Sequence, residues 1–125
     1  MAKITGLGGA FIRVDNANDL YAWYERHLGL ASPNGCFVFP KDEQRAYVVV
    51  SFFPPSSDYF PPSQPAMLNF QVDDLDAVLD RLASAGVAVD PKREECEYGR
   101  FGWFTDPAGN RVELWQPTSQ NRAGS

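Results

Sequence analysis

A chain of 125 residues, 44% of them hydrophobic, is long enough for one compact domain with its own core and too short for two. Its net charge of −5 argues against nucleic acid, which selects basic surfaces, and is compatible with a cationic or neutral small ligand. No apolar run approaches the ~20 residues of a membrane helix, the N-terminus lacks a secretory-signal layout, and Cys36 and Cys96 sit in no metal or redox motif, so a cytoplasmic protein with reduced thiols is expected.

The first element is a strand in "GGAFIRV", Gly8 to Val14. Asp15 or Asn16 can cap the helix that follows, where Leu20, Trp23, Tyr24 and Leu28 fall at helical spacing and Gly29 supplies the stop. The single histidine, His27, continues that stripe and is expected to pack at the helix–sheet boundary as a structural residue rather than a ligand. Two β-rich runs, "CFVFP" and "RAYVVVSFF", flank a polar turn at Lys41 to Gln44. "PPSSDYFPPSQP", Pro54 to Pro65, carries five prolines in twelve residues and is an ordered loop or linker, with Tyr59 and Phe60 placed to cover a site or an interface.

The pattern then restarts. "AMLNFQV" is a strand, Asp73 is the expected cap, Leu75, Val78, Leu79 and Leu82 make an apolar helical stripe, and Gly86 follows. Asp73, Asp74 and Asp76 suit the cap and first turn of that helix. "VAVD" is a short strand, and Glu94, Glu95 and Glu97 read as a solvated loop. In "FTDPAGNRVELWQP", Asp106 to Asn110 provide the Pro, Gly and Asn of a hairpin loop between two strands. Val14-Asp15 matches Val72-Asp73, and both halves read strand, helix, glycine, then about three strands, which is an internal duplication of a βαβββ unit. The modules are about 4–60 and 66–117, one domain over 4–117, with 118–125 a flexible tail.

Strand parity assigns side chains to faces. Gly9, Phe11 and Arg13 share one, as do Met67, Asn69 and Gln71. A five-residue hairpin loop sets Trp103 opposite Glu113 and Phe101 opposite Trp115. A surface carrying Phe11, Arg13, Met67, Asn69, Phe101, Trp103, Glu113 and Trp115 has the composition of a small-molecule pocket, with apolar walls and a few orienting polar groups. The same residues could equally pack against one another, with Arg13 neutralising Glu113. Asn69, Gln71 and the Trp103 indole are the other candidates to meet the carboxylate.

"WYERHLGL", "FQVDDLDAVLDRLASAGV" and "FTDPAGNRVELWQP", in this order, resemble the vicinal oxygen chelate superfamily of glyoxalases, bleomycin resistance proteins and extradiol dioxygenases. The resemblance covers Ile4 to about Pro117 and implies an α+β fold: two tandem βαβββ modules whose mixed sheet curls into a cup, commonly in a homodimer. It implies metal ligands at about Gly9, within Tyr47 to Phe53, at about Met67 and at Glu113. Only Glu113 is a ligating residue, and one carboxylate does not hold a divalent transition metal. The expectation is therefore a protein without metal or other cofactor that binds a small organic molecule in an aromatic cup. The alternatives are a metal-dependent lyase or dioxygenase with non-standard ligands, and a structural or regulatory module with a closed cup.

Overall fold

The computed structural model describes residues 1–39 and 47–118. The expected turn at Lys41 to Gln44 and the tail beyond Thr118 lie outside them. The described elements are β1 (Ile4–Arg13), α1 (Ala17–Leu28), β2 (Phe37–Phe39), β3 (Val48–Phe53), β4 (Ala66–Val72), α2 (Leu75–Ser84), β5 (Ala88–Cys96), β6 (Gly99–Thr105) and β7 (Arg111–Pro117). The strands form one curled, unclosed mixed sheet in the order β2-β3-β1-β4-β7-β6-β5. At its centre β1 and β4 run antiparallel, and each has a parallel outer neighbour, β3 for β1 and β7 for β4. The α+β class is therefore as read from the sequence. Among the described residues the first half contributes three strands where the repeat leads one to expect four.

Local chemistry sets the helix ends. The Asn16 side chain accepts the Asp19 N–H at 3.1 Å and starts α1, while Gly29 closes it with φ 70°, a left-handed conformation that glycine adopts without a Cβ clash. In α2 the cap is Asp74, which accepts from the Ala77 N–H at 3.1 Å, rather than the expected Asp73. Asp73 accepts instead from the Lys3 backbone N–H at 2.8 Å and fastens the start of the chain to the end of β4. Each such cap contributes about 1 kcal/mol.

Both helices cover the same side of the sheet. Leu75, Val78 and Leu79 of α2 are buried with Val72 and Leu114, and full burial of each of these side chains stabilises by roughly 1.5–3 kcal/mol. Gly102 of β6 makes room for them, since a Cβ there would lie 2.6 Å from the Leu79 Cδ1. The stripe on α1 differs from the expected one. Tyr21 is the buried residue, set against Phe52 with ring centroids 4.7 Å apart, and its hydroxyl accepts the Phe52 backbone N–H at 2.7 Å. Trp23, His27 and Leu28 are exposed. His27 packs against Trp23 with ring centroids 4.9 Å apart and planes tilted by 44°, at the surface rather than at the helix–sheet boundary. Tyr24 and Leu20 of the expected stripe are half-buried, and Tyr24 packs on the same Phe37 and Phe52 rings as Tyr21, so the buried face runs through Tyr21 and Tyr24 and leaves Trp23 and Leu28 outside.

The segment with Glu94 and Glu95 is part of β5, paired with β6 through Glu94↔Phe101 and Glu95↔Arg100, and not a loop. Pairing to a neighbouring strand overrides the weak β preference of glutamate, and both side chains remain exposed.

Candidate functional site

On the side of the sheet away from the helices lie Phe11, Phe53, Met67, Asn69, Phe101, Trp103, Glu113 and Trp115. The hairpin loop sets the expected register, Trp103↔Glu113 and Phe101↔Trp115, and the parallel β4–β7 pair adds Asn69↔Glu113. A bulge between Leu7 and Gly9 shifts the parity of β1, so that Gly8 faces this side together with Phe11.

The Pro-rich segment divides the cup. Phe60 is buried with Met67 and Trp103 at one end, and Phe11, Phe53, Tyr59 and Phe101 pack around them. Tyr59 stacks on Phe53 with centroids 5.6 Å apart, and its hydroxyl reaches Glu113. Arg13 holds the segment in place. Its guanidinium donates to the backbone carbonyls of Phe60 at 2.8 Å and Pro61 at 3.1 Å, and lies 4.3 Å from the centre of the Phe60 ring. Gln64 adds a second clamp by accepting the Arg111 N–H and donating to the Arg111 carbonyl, both at 2.8 Å.

Glu113 is 1% exposed. Three donors converge on its carboxylate: the Tyr59 hydroxyl, the Asn69 Nδ2 and the Trp103 Nε1, the last at 2.9 Å. The expected Arg13 partner is thus not the one used, because three carbonyls of the Pro-rich segment, at Ser57, Phe60 and Pro61, take up that guanidinium. Asn69 and Trp103 meet Glu113 instead, whereas Gln71 donates to the carbonyls of Leu7 and Tyr47. Burial pushes the Glu113 carboxyl above the usual carboxylate range, and the three hydrogen bonds oppose that rise without cancelling it. Burial, then the charge of Glu113, pushes the Tyr59 hydroxyl well above its ordinary range, so it remains a donor.

This donor set decides whether a divalent ion could sit on Glu113. An indole N–H cannot accept, and both carboxylate oxygens are engaged by groups that present hydrogens. The strand neighbour of Glu113 on β4 is Asn69, the family ligand position at about Met67 carries no ligating group, and among the described residues no group of three or more His, Cys, Asp and Glu could hold a metal. The residues present do not fit a divalent metal, and no chemical step is derived through one.

The other end of the cup is open. A cavity of about 590 Å³ lies between Gly8, Phe11, Val49, Asn69, Phe101 and Trp115 of the sheet and Ala31, Pro33, Asn34 and Cys36 of the α1–β2 connection, and is lined also by Val38, Tyr47 and Tyr98. Its size is that of a pocket for a small organic molecule. None of the described residues lining it is charged. Phe101 and Trp115 lie parallel, with interplanar angle 6°, and the Trp115 indole N–H is held by the Tyr98 carbonyl at 2.8 Å.

Of the eight residues singled out in the sequence, Phe11, Asn69, Phe101 and Trp115 line the cavity. Met67, Trp103 and Glu113 lie buried under the Pro-rich segment, and Arg13 anchors it. The α1–β2 connection and Tyr98 carry no motif that marks them in the sequence, since they reach the cavity through chain path alone.

Among solved structures, the chain is similar to methylmalonyl-CoA epimerase from Mycobacterium tuberculosis at 22% identity and TM-score 0.65, covering 94% of this chain and 91% of that one. It is similar to a methylmalonyl-CoA epimerase in complex with methylmalonyl-CoA and NH4+ at 13% identity and TM-score 0.76, covering 96% and 99% of the two chains. It also matches the Mn(II)-bound glyoxalase from Novosphingobium aromaticivorans at 16% identity and TM-score 0.65, over 100% of this chain and 43% of that one. At such identities the likeness is one of fold. No curated protein matches the sequence. The sequence profile that does match spans residues 6–114, nearly the whole described sheet with both helices, and the chain belongs to the Glyoxalase/Bleomycin resistance protein/Dioxygenase superfamily.

Proposed function

We propose that this protein binds a small, neutral, largely aromatic organic molecule in the open half of the cup, without a metal, and sequesters it. The observation that carries this reading is the 590 Å³ cavity walled by Phe11, Phe101 and Trp115, with no charged side chain among its described lining residues. Glu113 is absent from that lining and already holds three donors, so of the cationic and neutral ligands compatible with the net charge a neutral one is the better match. The open volume favours a binding protein over a module with a closed cup. The donor set around Glu113 favours it over a metal-dependent lyase or dioxygenase.

Calorimetric titration with a panel of neutral bicyclic and monocyclic aromatics tests the reading. Binding in the micromolar to millimolar range is expected, unchanged after EDTA treatment and lost when Ala31→Trp fills the cavity. Absence of binding across the panel, or binding that follows a stoichiometric bound metal, would overturn it.

We propose further that the chain is a homodimer in a reducing compartment, with two βαβββ-derived modules at about 4–60 and 66–117. The repeated parallel pairs, β1–β3 and β4–β7, on either side of the central antiparallel pair support the duplication. Exposed Ile4, Leu7, Ile12 and Leu68 on β1 and β4 support the dimer, because the helices leave the middle of their side of the sheet bare. Cys36 and Cys96 are free thiols.

A further inference from the structure

Two of the three donors on Glu113 belong to the sheet, Asn69 on β4 and Trp103 on β6, and the third arrives on the Pro-rich segment. The sheet donors are fixed in place. Trp103 is 1% exposed, and the Asn69 amide turns its NH2 to Glu113 even though its Oδ1 is then orphaned, buried against Gly8 without a partner among the described residues. Unmet buried acceptors are uncommon and destabilising, so the carboxylate imposes this orientation. Asn69 donates to Oε1 and Trp103 to Oε2, and the Tyr59 hydroxyl takes up the acceptor capacity left on Oε2.

Tyr59 is held as a bound aromatic would be. Its ring stacks on Phe53, with centroids 5.6 Å and planes 24° apart, lies 6.1 Å from Phe11 and meets Trp103 edge-on at 6.2 Å. Yet Tyr59 is only half-buried, whereas its neighbour Phe60 is 1% exposed. The firm fastenings of the segment lie on the Phe60 side, where Arg13 holds the Phe60 carbonyl at 2.8 Å and Gln64 holds Arg111. On the Tyr59 side, Arg13 reaches the Ser57 carbonyl at 3.4 Å. The Ser57 N–H to Pro54 carbonyl bond, 3.1 Å, and the Tyr59 N–H to Ser57 hydroxyl bond, 3.2 Å, lie within residues 54–59 and survive if that turn swings outward as a unit.

We propose that the slot above Glu113, between Phe53, Phe11 and Trp103, is a second ligand site, selective for phenols, and that Tyr59 fills it as an intramolecular stand-in which a phenolic ligand displaces. Glu113, Phe53, Tyr59 and Trp103 are absent from the lining of the open cavity, so this site is separate from the one proposed above. The flanking rings accept a flat six-membered ring, and Oε2 has room for one hydroxyl donor. A ring without that hydroxyl gives up the Tyr59 bond and returns none to the carboxylate. Sites built around a buried polar group discriminate against the analogue that lacks its partner.

The probe is p-cresol, the tyrosine side chain cut at Cβ, with toluene as the analogue lacking the hydroxyl. Ala31→Trp fills the open cavity, so p-cresol that still binds to it by calorimetry reports the second site. Binding in the millimolar range is expected, together with faster chymotrypsin cleavage at Tyr59 as p-cresol is added. Adding Tyr59→Ala removes the internal competitor and should tighten p-cresol about ten-fold or more, with toluene at least about ten-fold weaker than p-cresol in the same protein. If Tyr59→Ala does not fold, Tyr59→Phe, which keeps the ring and loses the hydroxyl bond, should also bind p-cresol more tightly than the protein with Tyr59. Binding of p-cresol to wild type that Ala31→Trp abolishes leaves the open cavity as a ligand site and overturns the second one. Binding that appears only after Tyr59→Ala marks Tyr59 as an ordinary core residue and overturns the inference. Equal affinity with and without the Tyr59 hydroxyl, or toluene as tight as p-cresol, overturns it as well.

Discussion

Glu113 sits where opposing energies of similar size meet. Burying a charged carboxylate costs several kcal/mol, and three hydrogen bonds to it return about 1.5–3 kcal/mol each. Burial still prevails, because the carboxyl lies above its usual range despite all three donors. The sign of the pH dependence follows. An acid whose folded-state pKa exceeds its unfolded value, about 4.3, holds its proton more tightly in the native state. The stabilisation this gives is fully present below the unfolded value and is lost as pH rises through the folded value. Glu113→Gln does not titrate. In urea unfolding at pH 4, 6 and 8, the stability of the wild type minus that of Glu113→Gln should therefore fall with rising pH, by about 1.4 kcal/mol for each unit of upward shift. A flat difference would show that Glu113 is not buried as described. From the sequence, parity puts Glu113 on the cup face and hairpin chemistry puts it opposite Trp103. The partner is a different matter, since charge pairing favours Arg13 and the structure uses three neutral donors instead. The Arg13 guanidinium is drawn off by carbonyls 44 to 48 residues away, at Ser57, Phe60 and Pro61.

At the scale of elements, the Pro-rich segment 54–65 does most to shape the site. Proline excludes it from a central strand, and that much is local chemistry. Its course across the cup depends on Arg13 gripping its backbone, on its own Gln64 side chain holding the Arg111 backbone of β7, and on Phe60 filling the space beside Met67 and Trp103. Arg13→Ala removes charge-assisted bonds to the Phe60 and Pro61 carbonyls together with the guanidinium–Phe60 stack, and should cost about 2–4 kcal/mol. It should also expose Tyr59 and Phe60 to chymotrypsin in the folded protein. Arg13→Lys should rescue only partly, because one ammonium cannot reproduce the planar fork across several carbonyls. Equal protease resistance in Arg13→Ala would show that the segment is held by its apolar side chains alone. The rotation of α1 belongs to the same scale. The spacing of Leu20, Tyr24 and Leu28 is helical and Tyr24 does meet Phe37 and Phe52, but Tyr21 is buried deepest against the same rings, which turns the face so that Leu28 is left exposed.

For the whole molecule, the two helices cover β3 and β7 with their neighbours and leave the central β1–β4 pair bare, with Leu68 46% and Leu7 44% exposed. An antiparallel pair carrying apolar side chains is a self-complementary surface, suited to a closed two-fold contact. Leu68→Asp is expected to shift a dimer to monomer in sedimentation velocity at ~10 μM, with the cavity still binding its ligand, because a specific interface of standard size holds in the micromolar range or below. A wild-type monomer at ~100 μM would remove the proposed dimer. What the sequence determined by itself is the set of properties carried by neighbours along the chain. These are the order of strands and helices, the glycine stop of α1 and the hairpin register that pairs Trp103 with Glu113. Turn chemistry and the periods of 2 and 3.6 residues encode them within a few positions. What only the tertiary structure decided is which half of the cup is filled, which donors meet Glu113, and where an orphaned carbonyl is left. Those outcomes turn on contacts such as Tyr59 with Glu113, 54 residues apart, and Asn69 with Glu113, 44 apart. No local pattern encodes such pairs, because many side chains compete for the same partners and packing selects among them.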